Sequence, residues 1–179
     1  MLEVELRGTL SEAEFIMLKD KLIHEADSSR ADNKVTYFFV THGFILKVTQ
    51  PDGEADAFIT VKIGDETVNV LEELDIAIPS ESVNDALKLL RSLGFDEVNK
   101  VVQRRTNYVL GSFELALKYT DDWGYHFELE GAAANHEEAD GVRKQLEKMC
   151  REYGLHAMSP EEIRTKIAEI NSRHGFRTK

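Results

Sequence analysis

The chain is poor in the residues that build several common kinds of site. A single cysteine, Cys150, excludes an intramolecular disulfide and any metal centre built on cysteine pairs. Three prolines and one tryptophan in 179 residues exclude proline-rich recognition segments. Basic residues are outnumbered 22 to 33 by acidic ones, a formal net charge of −11. Nucleic acid is therefore not expected as a partner, because a phosphate backbone requires a basic surface. No long apolar run is present, so neither a signal peptide nor a membrane span is expected, and the cytoplasm is the expected location. P-loop, Gly-x-Ser-x-Gly and His-Glu-x-x-His motifs are also missing.

What the chain does contain is strands with charge on one face. Leu2 to Gly8 alternates with period two, placing Leu2, Val4 and Leu6 on one side and Glu3, Glu5 and Arg7 on the other. His126-Phe127-Glu128-Leu129-Glu130 repeats the arrangement late in the chain. Further strands are expected at Val35–Val40, Phe44–Gln50, Ala57–Ile63, Val68–Ile78, Asp96–Leu110, Phe113–Tyr119 and Tyr125–Glu130. Turns are expected at Asp27-Ser28-Ser29-Arg30, Thr41-His42-Gly43, Pro51-Asp52-Gly53 and Gly64-Asp65-Glu66.

Helices are marked by their ends. Ser11 with Glu14 reads as a capping box ahead of a stripe of Phe15, Leu18, Leu22 and Ile23. Pro79-Ser80 opens a helix carrying Val83, Ala86, Leu87 and Leu90, with Gly94 at its C-terminal cap. Asn135 and Glu138 start a helix that stops at Gly154, and Ser159-Pro160-Glu161-Glu162 starts one that ends before Gly175. Eight strands joined mostly by short turns predict an α+β fold, a closed eight-stranded antiparallel β-barrel with flanking helices. Residues 1–179 read as one domain, the barrel over about 1–132 and the C-terminal helices over about 135–173.

If the charged faces point inward, the lumen holds Glu3, Glu5, Glu73, Asp75, Glu128 and Glu130 against Arg7, Lys47, Lys62, Arg105 and Lys118. Such a lumen is costly unless ligand, metal or water occupies it. A polyphosphate fits, since cations take its oxygens while carboxylates hold the accompanying divalent ions. The opposite assignment, apolar faces inward, gives an ordinary filled barrel, and periodicity alone does not choose.

The Glu-x-Glu-x-basic opening, the Leu89–Phe95 segment leading into a basic strand and Tyr108, and the closing Gly-x-x-x-Glu-x-Glu at Gly124–Glu130 resemble the CYTH superfamily of triphosphate tunnel metalloenzymes. The resemblance spans roughly residues 1–132. It implies a tunnel that binds a triphosphate-containing small molecule with Mg²⁺ or Mn²⁺. It implies Glu3, Glu5, Glu128 and Glu130 as metal ligands, with Glu73 a further candidate, and Arg7, Lys62 and Arg105 as phosphate contacts; Lys47 and Lys118, on the same inward faces, complete the expected substrate contacts. Glu5, Arg7 and Arg105 are the candidate catalytic residues. Departures from the family pattern are Arg7 for a lysine, Thr49 for the second arginine of a pair, Leu71 for an arginine, Gln103 for a lysine and Lys118 for an aspartate. The expected activity is metal-dependent hydrolysis of a triphosphate (inorganic, nucleoside or thiamine). The alternatives are a class IV-type adenylyl cyclase and a catalytically weak triphosphate-binding module, and a homodimer is left open.

Three other residues have two readings each. His126 shares the inward face of its strand, as a general base or as a hydrogen-bonded structural group. Trp123 either packs at a strand start or stacks at a tunnel mouth. Cys150, on a helix, reads as a small structural residue rather than a nucleophile.

Overall fold

The computed structural model describes residues 2–41, 43–63 and 70–176, with the side chains of Val70 and Leu71 also outside the description. The expected turn at Gly64-Asp65-Glu66, the strand residue Val68, the turn residue His42 and the side chain at position 71 therefore lie outside the described residues.

Among the described residues, nine strands and four α-helices follow in the order β1 (Leu2–Thr9), α1 (Glu12–Glu25), β2 (Ser28–Ala31), β3 (Lys34–Phe39), β4 (Phe44–Pro51), β5 (Asp56–Ile63), β6 (Val70–Pro79), α2 (Val83–Ser92), β7 (Val98–Leu110), β8 (Phe113–Thr120), β9 (Gly124–Ala133), α3 (His136–Tyr153) and α4 (Pro160–His174). Every pairing is antiparallel, and the ring β7-β3-β4-β5-β6-β1-β9-β8 closes through β7 and β8. The α+β class and the closed eight-stranded barrel are as the alternation predicts.

Two local expectations are corrected. Ser28–Ala31 is not a polar turn but a ninth strand, paired with β7 from Val109 to Thr106. At 13 residues, β7 is long enough to take β3 along its first half and β2 along its second, with β8 on the opposite edge. The four exposed side chains of β2 carry no hydrophobic alternation, so only the backbone ladder marks it as a strand. The second correction is at Pro79-Ser80, where Pro79 ends β6 and Ser80–Ser82 forms a 3-10 turn before the α-helix starts at Val83.

The apolar faces of the strands point outward, and the helices cover most of them, leaving Leu74 and Ile76 of β6 exposed. One core gathers Val4 and Leu6 of β1, Leu115 and Leu117 of β8, Phe127 and Leu129 of β9, Leu18 and Leu22 of α1, and Leu146 and Cys150 of α3. A second joins Phe39, Leu46, Val48 and Ala57 to Val83, Leu87 and Leu90 of α2. In α1 the buried stripe is narrower than its spacing suggests: Leu18 and Leu22 are buried, whereas Ile23 is 56% exposed. Cys150 is enclosed in the first core, where burial, reinforced by Glu147, pushes its thiol up to about 11, as suits a structural cysteine.

Helices α1, α3 and α4 start as their caps predict. Ser11 and Ser159 each form the reciprocal box with the glutamate three residues on, and Asn135 accepts from the Glu138 amide. Among the described residues no helix is long and apolar enough to cross a membrane.

The segment between α3 and α4 crosses β1 at Gly8. The Met158 amide donates to the Arg7 carbonyl at 2.8 Å, and a β-carbon on Gly8 would lie 2.1 Å from the His156 carbonyl oxygen and 2.6 Å from the Phe127 ring. Backbone and a packed ring cannot both give way. Gly8→Ala is expected to destabilise the protein by about 1–3 kcal/mol, as overpacking does, read as a lower midpoint in urea unfolding. A midpoint equal to the wild type would show that this crossing is loose.

Candidate functional site

With the cores outside, the charged faces line the lumen. Antiparallel register sets their neighbours: Glu5 lies opposite Glu130, Arg7 opposite Glu128, Lys62 opposite Glu73, Arg105 opposite Lys118 and Lys118 opposite His126. Four of these groups are buried outright, the charged Glu5, Lys62 and Lys118 at 7%, 8% and 5% exposure and His126 at 7%. Charges so placed survive by pairing.

Lys62 Nζ bridges Glu3 Oε1 at 2.6 Å and Glu73 Oε2 at 2.7 Å. Arg7 reaches Glu5 at 2.6 Å. Arg105 stands among carboxylates, with Glu114 at 3.0 Å, Glu130 at 3.5 Å and Glu128 at 3.6 Å, while Asn107 accepts from its Nε. Lys118 pairs closely with Glu128. Asp75 takes no lysine but accepts from the Thr60 hydroxyl at 2.5 Å.

The electrostatics follow from burial and crowding. Burial pushes Glu3 up, Lys62 opposes it, and Glu130 and Glu5 add repulsion, so its carboxyl stands at about 7. Burial pushes Glu5 the same way, but Arg7, Lys62, Lys118 and Lys47 together hold it at about 2. Lys62 is held above the usual ammonium range because Glu3 and Glu5 outweigh its burial. The reverse holds for Lys118, where burial and then Arg105 push the ammonium well down. Burial, with Lys62 beside it, lowers Lys47.

One oxygen from each of Glu5, Glu128 and Glu130 lies within 4.8 Å of the others. Opposite ligands of a six-coordinate Mg²⁺ are about 4 Å apart, and the ion takes oxygen donors. The three carboxylates therefore fit a hard divalent cation with a small inward adjustment. Glu3 and Glu73 stand aside from that triad, joined through Lys62.

The inward placement of charge brings the predicted acids and bases into one tunnel. Four participants escaped the sequence reading: Asp32, Lys34, Asn107 and Glu114. Lys34 bridges Asp32 at 2.6 Å, and Asp32 lies 3.7 Å from Arg105. Glu114 could have been found by stepping two residues back along the face of Ala116 and Lys118, and Asn107 by stepping two forward from Arg105. Asp32 follows the strand mistaken for a turn. The positions Thr49 and Gln103, where the family pattern has bases, form a neutral wall with Thr36, whose hydroxyl lies 3.4 Å from both side chains.

His126 is held as a structural group. Its Nδ1 lies 2.9 Å from the Gly124 carbonyl, and burial, with Lys118 nearby, lowers its pKa to about 3. It is a neutral imidazole at working pH and a weak base.

Comparison with known proteins agrees with this geometry. The CYTH domain model matches residues 1–162. The PH1819 protein of Pyrococcus horikoshii OT3 superposes with a TM-score of 0.72 at 24% identity, over 92% of this chain and 98% of that one. A candidate adenylate cyclase of Vibrio parahaemolyticus gives 0.63 at 19% identity, over 90% and 92%. A Hippeastrum protein described as a candidate adenylyl cyclase with a dominant triphosphatase activity gives 0.56 at 16% identity, over 87% and 89%. The search of curated proteins returns no match.

The Lys118–Glu128 contact can be isolated by a double-mutant cycle. Lys118→Met, which strips a buried carboxylate of its partner, is expected to cost about 3 kcal/mol. The same change in a Glu128→Gln background is expected to cost at least about 1 kcal/mol less. Equal costs in both backgrounds, measured by urea unfolding, would show that the two groups do not depend on each other.

Proposed function

The chain belongs to the CYTH domain family, and on that premise we propose that it hydrolyses a triphosphate inside its tunnel with the help of Mg²⁺ or Mn²⁺. The observation that carries this reading is the set of lumen cations paired with carboxylates: Arg7, Lys62, Arg105 and Lys118. A polyphosphate offers the same cations several charged oxygen acceptors at once. As they turn to phosphate, Glu5, Glu128 and Glu130 become ligands for a divalent ion.

In this reading Arg105 and Arg7 grip the terminal phosphoryl group, with Lys62, Lys47 and Lys118 along the chain. Arginine's planar fork suits two phosphoryl oxygens at once. Water adds to the terminal phosphorus, the bridging P–O bond breaks, and its electron pair leaves with the remaining phosphates. The arginines neutralise charge on the transferring group, and Glu5, held as a carboxylate by the surrounding cations before ligand binds, is available as a ligand. A divalent cation, when bound, supplies positive charge that polarises the phosphoryl oxygens.

A weak binding module is a second reading. It is favoured by the uncharged wall of Thr36, Thr49 and Gln103 and by Lys118 standing against a carboxylate of the triad. A cyclase would instead need a ribose 3′-hydroxyl aimed at the α-phosphorus.

The test is phosphate release from tripolyphosphate, ATP and thiamine triphosphate with Mg²⁺ or Mn²⁺, comparing wild type with Glu5→Gln. Metal-dependent release that falls about 100-fold or more in the variant is expected. Folded protein that binds tripolyphosphate without releasing phosphate would establish the binding module, and cyclic AMP with pyrophosphate would establish the cyclase.

A further inference from the structure

The two ends of the tunnel differ in chemistry. One opens into a cavity beneath α4, whose walls include Phe38, Trp123, Ile167 and Ile170. The other is a cleft of about 550 Å³ between β6 and the turn that joins β7 to β8, faced by Glu3, Glu73, Asp75, Glu114 and Glu130. Among the described residues no lysine or arginine lines that cleft.

Strand β6 is only half paired beside it. Its β5 side is matched from Glu72 to Pro79, whereas its β1 side meets Leu2, Glu3 and Val4 through Glu72, Leu71 and Val70. From Glu73 to Ile78, among the described residues, no strand takes the backbone groups on that second side. The outer face of the same stretch is bare as well. Leu74 and Ile76 are 58% and 55% exposed, because α2 packs against β4 and α3 against β1 and β9, leaving β6 between them. An unpaired edge and an uncovered apolar face on one strand are the two features that strand addition uses.

We propose that the free edge of β6 takes an extended segment of another protein, antiparallel and in line with β1, whose residues alternate between apolar and basic. The alternation follows from the pleat. Outward residues of the added strand lie beside Leu74 and Ile76, and inward ones point into the acidic cleft beside Glu73 and Asp75. The basic character follows from the charge that the lumen leaves unmatched. Lys62 already serves both Glu3 and Glu73, and Arg105 serves Glu114, Glu128 and Glu130. Among the described residues no cation pairs with Asp75, which accepts from the Thr60 hydroxyl at 2.5 Å. The acids at this mouth therefore outnumber the cations that serve them, and a lysine or arginine brought in by a partner finds them waiting.

The same acids select against a second copy of this chain. Two β6 edges laid side by side would bring two acidic mouths together in a protein whose net charge is −11. Like charge protects the edge from self-pairing while leaving it open to a basic strand. The inference goes beyond the triphosphate reading and stands whether or not that reading holds.

The test is calorimetric titration of the full chain with a capped peptide that alternates lysine and valine and is as long as the free edge. A scrambled peptide of the same composition separates register from bulk charge. Two N-methylated versions, one methylated at the lysines and one at the valines, separate edge pairing from adsorption, because successive amides of a strand point to opposite edges. The alternating peptide is expected to bind about tenfold or more tightly than the scrambled one. One methylated peptide is expected to lose binding and the other to keep it. Asp75→Asn and Ile76→Ser, both at exposed positions, are each expected to weaken the alternating peptide about threefold. No binding, equal binding of the alternating and scrambled peptides, or equal behaviour of the two methylated peptides would overturn the proposal. So would a dimer in sedimentation that Ile76→Ser dissolves, since it would assign the edge to a second copy.

Discussion

A carboxylate or an ammonium taken out of water costs several kcal/mol unless an opposite charge meets it. The interior of this barrel is an answer to that constraint. Lys62 is shared by Glu3 and Glu73, Arg105 stands among Glu114, Glu128 and Glu130, and Arg7 and Lys118 hold Glu5 and Glu128. Each arrangement is complete enough to fold and incomplete enough to be traded. In the proposed function a phosphate chain would take the cations, and a divalent ion the acids left behind.

An open, charged lumen means that the hydrophobic effect must act on the outside of the sheet. Two separate cores do so, one under α1 and α3 and one under α2. The helices supply the second apolar layer that a filled barrel would find in its own interior. The fourth helix has a different place, over a tunnel mouth. Its burial through Ile163 and Ile170, its contacts with Asp122, and the tight crossing at Gly8 connect the roof to the strands that carry Arg7, Lys118 and Glu128.

Much of this was legible in the order of residues. Period-two alternation identified β1 and β9 and the face shared by Glu3, Glu5 and Arg7 and by Glu128 and Glu130. Capping residues located the starts of α1, α3 and α4. Which face pointed inward was not legible, because alternation is symmetric between the two sides of a sheet. It was decided by helices whose apolar stripes needed a surface to cover. Strand β2 was hidden because its pairing is entirely backbone, and with it went Asp32 and its link to Arg105. Glu114 was missed where the inward face of β8 was followed only from Ala116. The cavity under α4 joins β1, β3, β4, β7, β8, β9 and a helix that starts only at Pro160, well past the end of β9 at Ala133, a juxtaposition that no local pattern records.

The central claim is that the paired charges of the tunnel are exchanged for a triphosphate. It is tested most directly by calorimetric titration of tripolyphosphate into wild type and Arg105→Gln, with and without Mg²⁺. One-to-one binding is predicted, strengthened by Mg²⁺ and weakened about tenfold or more in the variant, as loss of a charge-assisted contact requires. Wild-type protein that takes up no tripolyphosphate, or a variant that binds it as tightly as wild type, would contradict the account.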